Sequence, residues 1–153
     1  MNYSIVNLPA KYIIGITTKT ANDGSAAQDI PALWQKFHQT NTLNNIPNKK
    51  SDEVFALYYN YEGDYTQPYW VLIGCEVDSI EKIPTGMVAQ QIPASTYAVY
   101  KATGPFPQEL INTWQHIWLS SLKRTYTGDF ELYPAGFCPT NNAAVDVYIA
   151  IKD

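Results

Sequence analysis

The chain has 153 residues, a length that expects one compact domain with a core of useful size. Hydrophobic residues are 46% and charged residues 16%, which expects a globular fold and excludes disorder. A net charge of −4 with no basic stripe excludes a direct nucleic-acid surface, and no segment approaches the roughly 20 apolar residues of a membrane helix.

The first expected strand is Tyr12 to Thr18, followed by a loop with Asn22-Asp23-Gly24. A helix is expected from about Ile30 to His38, because Ile30, Leu33, Trp34 and Phe37 share one helical face. Asp29 suits its cap and Pro31 its first turn. Two strands follow, Val54 to Tyr61 and Tyr69 to Val77, joined by the turn chemistry of Glu62 to Pro68. A linker runs through Asp78 to Pro84. A strand from Ser95 to Ala102 comes next, then a helix opened by Gly104-Pro105-Phe106-Pro107 and running to about Leu122. Leu110, Ile111, Trp114, Ile117, Trp118 and Ser121 mark its inner face. The last strands are Asp129 to Tyr133 and Val145 to Lys152, separated by a Pro/Gly/Asn loop.

The order strand, helix, strand, strand occurs twice. Tyr97 lies 85 positions after Tyr12, Trp114 lies 80 after Trp34, Glu131 lies 74 after Leu57, and Val145 lies 75 after Trp70. The fold class is therefore α+β over residues 1–153, with repeat units of about 1–80 and 88–153. Two pseudo-twofold related β-α-β-β units would form an antiparallel sheet carrying two helices, with a central groove suited to a small molecule.

Glu131 is the leading site candidate. Strand alternation puts it on one face with Tyr133, and Phe130 and Leu132 on the other. If its face is solvated, Glu131 is a surface acid. If that face lines a cavity, a carboxylate sits beside aromatic rings, and both attract cations. Aromatic residues reach 14%, with 12 Tyr and 4 Trp, more phenols than a core easily satisfies. Tyr148 is expected to neighbour Glu131 across a hairpin. Tyr12 and Tyr97 open equivalent strands, so the groove is open to one or both of them, with the core as the alternative. Tyr58 and Tyr59 must point oppositely, one to the core and one to the groove. Trp70 either lines the groove or seals its hairpin. Trp34, Trp114 and Trp118 sit on inner helical faces, where core is the simpler place, although a helix beside a groove can present one ring to it.

Catalytic signals are few. There is no Gly-x-Ser-x-Gly elbow and no phosphate loop. His38 and His116 are isolated on helices and read as surface or boundary residues. Cys75 and Cys138 lack metal or redox spacing and read as reduced thiols of a cytoplasmic protein, with one disulfide as the alternative. No signal-peptide pattern opens the chain.

Several segments, taken in order, resemble the GyrI-like effector-binding domains, which occur alone or behind DNA-binding domains of AraC-type and MerR-type regulators. These are Ile30-Pro31-Ala32-Leu33-Trp34, Tyr69 to Val77 with its Gly-x-Glu-Val end, Pro84-Thr85-Gly86-Met87, Ile92 to Tyr100, and Phe130-Glu131-Leu132-Tyr133. The resemblance implies the two-unit fold and the binding of amphipathic, often cationic and aromatic, small molecules. It implies that Glu131 is the buried acid that meets ligand charge. No cofactor is expected. With no helix-turn-helix segment, a stand-alone binding module is expected rather than a direct regulator. Other branches imply two alternatives: a small-molecule hydrolase using Glu131 as general base with Tyr133 or Tyr148, or a protein inhibitor of a topoisomerase-like target. Exposed strand edges leave room for a protein partner or a homodimer.

Overall fold

The computed structural model describes residues 2–140 and 144–153, so the middle of the Pro/Gly/Asn loop, 141–143, lies outside the described residues. The elements are β1 (Ser4–Leu8), β2 (Lys11–Thr20), α1 (Ala26–Gln39), α2 (Thr42–Asn45), β3 (Val54–Tyr59), β4 (Tyr69–Val77), β5 (Val88–Ile92), β6 (Ser95–Ala102), α3 (Gln108–Trp118), β7 (Asp129–Tyr133) and β8 (Val145–Ile151). The eight strands make one antiparallel sheet in the order β1-β6-β8-β7-β3-β4-β2-β5. No described helix is long and apolar enough to cross a membrane.

The strand order is a palindrome under the repeat. β7 answers β3, β8 answers β4, and β6 answers β2. The strands β1 and β5, unforeseen in the sequence, complete it. Each precedes one unit and pairs with the other, β1 on β6 and β5 on β2. The repeat is therefore β-β-α-β-β with exchanged leading strands. Its signature is the pair Leu8-Pro9-Ala10 and Ile92-Pro93-Ala94, which sets the offset of the opening strands to 84. That offset matches Ile13, not Tyr12, to Tyr97. Both Ile13 and Tyr97 are buried in one cluster.

Short links force curvature. Only Pro9 and Ala10 join β1 to β2, which stand six strand spacings apart in the sheet. A flat sheet would separate them by roughly 28 Å, while three Cα steps reach about 11 Å. The sheet therefore curls, and its ends meet on one face. There Val6 and Leu8 of β1 and Ile92 of β5 pack with Phe55, Leu57 and Phe130 from the centre. At Gly15 and Gly74, paired across β2 and β4, an added Cβ would lie 2.0 Å from a facing carbonyl oxygen, so only glycine permits that approach.

α1 and α3 cover the other face, and the short α2, unforeseen in the sequence, follows α1. α1 starts a turn earlier than expected. Ser25 occupies the cap position, its amide held by Asp23 Oδ1 at 3.1 Å, so Asp29 falls in the first turn and Pro31 inside the helix. α3 is shorter at both ends than expected. Pro105 and Pro107 keep its start at Gln108, and Leu119 ends it, 87% exposed. β3 stops at Tyr59 because Asn60 takes a left-handed φ of 51°.

 

Candidate functional site

Between α1, α3 and the sheet lies a cavity of about 960 Å³. Strand alternation supplies its floor. Val54 and Tyr58 of β3 and Glu131 and Tyr133 of β7 all line it, while Phe55, Leu57 and Phe130 point to the opposite face. In the β3–β7 register Glu131 faces Ala56, a residue too small to cover it. α1 contributes Ile30, Trp34 and Phe37, and α3 contributes Leu110, Ile111, Trp114 and Trp118.

Glu131 is 3% exposed. Its Oε2 accepts from the Tyr58 hydroxyl at 2.9 Å and from Trp114 Nε1 at 2.7 Å, and its Oε1 accepts from the Tyr133 hydroxyl at 2.7 Å. A carboxylate offers about four acceptor positions, so three donors leave room for one more partner. Burial pushes the Glu131 carboxyl above its ordinary value, and the bonds from Tyr133, Trp114 and Tyr58 oppose that shift without cancelling it. Burial, and then the Glu131 charge, hold the Tyr58 and Tyr133 hydroxyls well above the ordinary phenol value, so both stay protonated as donors.

Rings surround the acid. Tyr58 meets Trp114 edge-on at 5.3 Å and Tyr69 at 5.8 Å, and Trp34 meets Tyr133 edge-on at 4.8 Å. Phe106 and Phe137 pack on Tyr133 from the loops that flank α3 and β7. At one end of the cavity Arg124 pairs with the buried Asp129 at 2.7 Å, and Asp129 also accepts from the Tyr61 hydroxyl at 2.6 Å.

Of the ten residues singled out in the sequence, Glu131, Tyr133, Tyr58, Trp34 and Trp114 line this cavity. The other five do not. Tyr148 pairs with Phe130, not with Glu131, and stacks on the Phe130 ring at 4.5 Å on the opposite face. Tyr97 is buried on that face too, edge-on to Phe130 at 5.5 Å. Tyr59 also points there, and its hydroxyl lies 2.7 Å from Thr17 Oγ1. Trp70 packs against the same cluster. Tyr12 opens β2 at the sheet's far end and is 37% exposed. For Tyr148 and Tyr97 a one-residue error in the assumed register moved the side chain through the sheet, since Val147 pairs with Glu131 and Ile13 answers Tyr97. Tyr61, Tyr65, Tyr69, Phe106, Phe137 and Arg124 line the cavity without having been singled out as site residues. Most stand in loops or at strand ends, where alternation gives no signal. Both cysteines are free thiols, and burial pushes Cys75 up to about 11.

The chain matches a family model described as integron-associated effector binding protein over residues 4–151. It is 30% identical to YobU of Bacillus subtilis (strain 168) over 154 residues, covering 97% of this chain and 96% of that protein. It is 32% identical to the transcriptional regulator BrlR of Pseudomonas aeruginosa, covering 99% of this chain but 56% of BrlR. Among solved structures, the integron cassette protein VCH_CASS2 of Vibrio cholerae aligns with a TM-score of 0.76 at 27% identity, over 99% of this chain and 96% of that one. SAV2435, solved bound to tetraphenylphosphonium, aligns with a TM-score of 0.83 at 19% identity, over 99% and 94%.

Proposed function

The chain belongs to the integron-associated effector binding protein family, with a GyrI-like fold, and we propose that its cavity binds lipophilic aromatic cations through Glu131. One observation carries this reading: a carboxylate buried at the floor of an aromatic cavity with one acceptor position to spare. A buried carboxylate is costly, and a cation beside it relieves that cost. Ring faces add attraction without strict direction, which suits ligands of varied shape. The tetraphenylphosphonium bound to SAV2435 is a ligand of this class.

The experiment is a thermal-shift titration with tetraphenylphosphonium and with tetraphenylborate, which has nearly the same shape and the opposite charge. The phosphonium is expected to raise Tm and the borate to leave it unchanged. Equal stabilisation by both would leave shape alone as the determinant and defeat the reading.

The charge of Glu131 also fixes a pH dependence. A proton competes with the cation for the same carboxylate. Because burial raises the Glu131 pKa, cation affinity is expected to start falling at a higher pH than for an exposed glutamate. A bound cation lowers that pKa again, so binding in the titration range releases protons. Calorimetry in buffers of different ionisation enthalpy measures this release. Proton uptake on binding would contradict it. The same shift has a sign for stability. The folded state holds this proton more tightly than the unfolded state, so the Glu131 contribution falls as pH rises from the ordinary glutamate value through the raised one.

A further inference from the structure

We propose that Arg124 is a second recognition point in the cavity, one that reads a neutral hydrogen-bond acceptor on the same ligand. The inference rests on the cation-binding reading and deepens it: the preferred ligands are aromatic cations that carry a carbonyl oxygen on the ring system.

Arg124 lines the cavity, and its side chain is 5% exposed. Nη2 donates to Asp129 Oδ2 at 2.7 Å. Among the described residues, Nε and Nη1 have no hydrogen-bond partner although both are buried. A guanidinium carries five donors and no acceptor, and buried donors are rarely left unmet. The rings of Tyr126 and Tyr61 lie over it, at 4.3 Å and 6.0 Å from the guanidinium carbon. Tyr126 takes a φ of 54°, rare for a bulky side chain, and its side chain is only half-buried.

Charge selects the kind of acceptor. Asp129 already neutralises Arg124, so a second carboxylate would meet one cation shared between two anions. A carbonyl oxygen takes a charge-assisted bond without that repulsion. Placement sets the ligand's length. Asp129 and Glu131 lie two residues apart on β7, roughly 7 Å along the strand. A cation centred at Glu131 therefore brings a substituent one ring away toward Arg124.

Calorimetry with three matched compounds tests this: para-acetylphenyl-, para-isopropylphenyl- and para-carboxyphenyl-triphenylphosphonium. The acetyl and isopropyl groups are close in volume and differ in the acceptor. Wild-type protein is expected to prefer acetyl over isopropyl by about tenfold, and acetyl over carboxy. Arg124→Lys keeps a cation for Asp129 but removes Nε and Nη1. It is expected to bring the acetyl-to-isopropyl ratio to about one with the isopropyl affinity little changed. The double variant Arg124→Met with Asp129→Asn removes the pair without stranding a charge, and the same collapse is expected. A wild-type ratio near one, or a ratio that survives both variants, overturns the proposal. Glu131→Gln separates the two readings: it is expected to weaken both compounds and keep their ratio. Equal binding of both by wild type and Glu131→Gln defeats the cation reading, whatever the ratio at Arg124. Binding of none of the three defeats both.

Discussion

Glu131→Gln is expected to weaken tetraphenylphosphonium binding by roughly 30- to 100-fold while leaving a neutral aromatic such as triphenylmethanol unaffected. The argument starts from desolvation. Glu131 is 3% exposed, so its charge sees few waters and much of a cation's field. Removing one member of such a pair costs about 2–5 kcal/mol. The phosphonium charge is spread beneath four rings, which places the effect at the low end of that range. Glutamine keeps the shape and one carbonyl oxygen, so Tyr58, Trp114 and Tyr133 need not lose every acceptor they now share. The fold should therefore survive, and the affinity difference reports charge. Calorimetry on both ligands checks it. A uniform loss for cation and neutral compound would mean a damaged cavity, and no loss for the cation would remove Glu131 from recognition.

The central strands were legible because alternation is strict where both faces are buried. Asp129 to Tyr133, Tyr69 to Val77 and Ser95 to Ala102 were read with the bounds the structure shows. Glu131 and Tyr133 followed onto one face by the same rule. The edges were not legible. β1 is largely exposed and β5 is mixed, so neither offers the apolar run that marks a strand. Their cue was the repeated Pro-Ala step, and missing it put Tyr97 opposite Tyr12 instead of Ile13. That slip sent Tyr97 to the wrong face, just as aligning Glu131 with Leu57 matched residues that point oppositely. In the sequence Arg124 stands beside Lys123 as an ordinary pair of basic residues. Nothing local marks it as buried, because its partner Asp129 and its covering rings are set by tertiary packing.

Asp129→Ala is expected to cost about 3–5 kcal/mol of stability, the larger structural effect of the two. Asp129 is fully buried and holds three donors at once. Arg124 Nη2 reaches Oδ2 at 2.7 Å, the Tyr61 hydroxyl reaches the same oxygen at 2.6 Å, and the Ala150 amide reaches Oδ1 at 2.8 Å. Truncation strands a guanidinium, a phenol and a backbone amide in a site that excludes water. For a domain of this size the loss corresponds to a Tm lower by roughly 6–20 °C. The exposed pair Lys19–Glu62 supplies the control, since Glu62→Ala should change stability by less than about 1 kcal/mol. Asp129→Asn should fall between, because an amide oxygen still accepts but no longer balances Arg124. Chemical denaturation of the four proteins gives the order. If Asp129→Ala matches Glu62→Ala, the cavity wall at Arg124 and Tyr61 does not depend on this carboxylate. If the expected order holds, the acid at the start of β7 is structural and the acid two residues later is free to serve the ligand: two buried carboxylates on one face, each accepting from three donors, separated in role because Arg124 already neutralises Asp129 while the donors to Glu131 are all neutral.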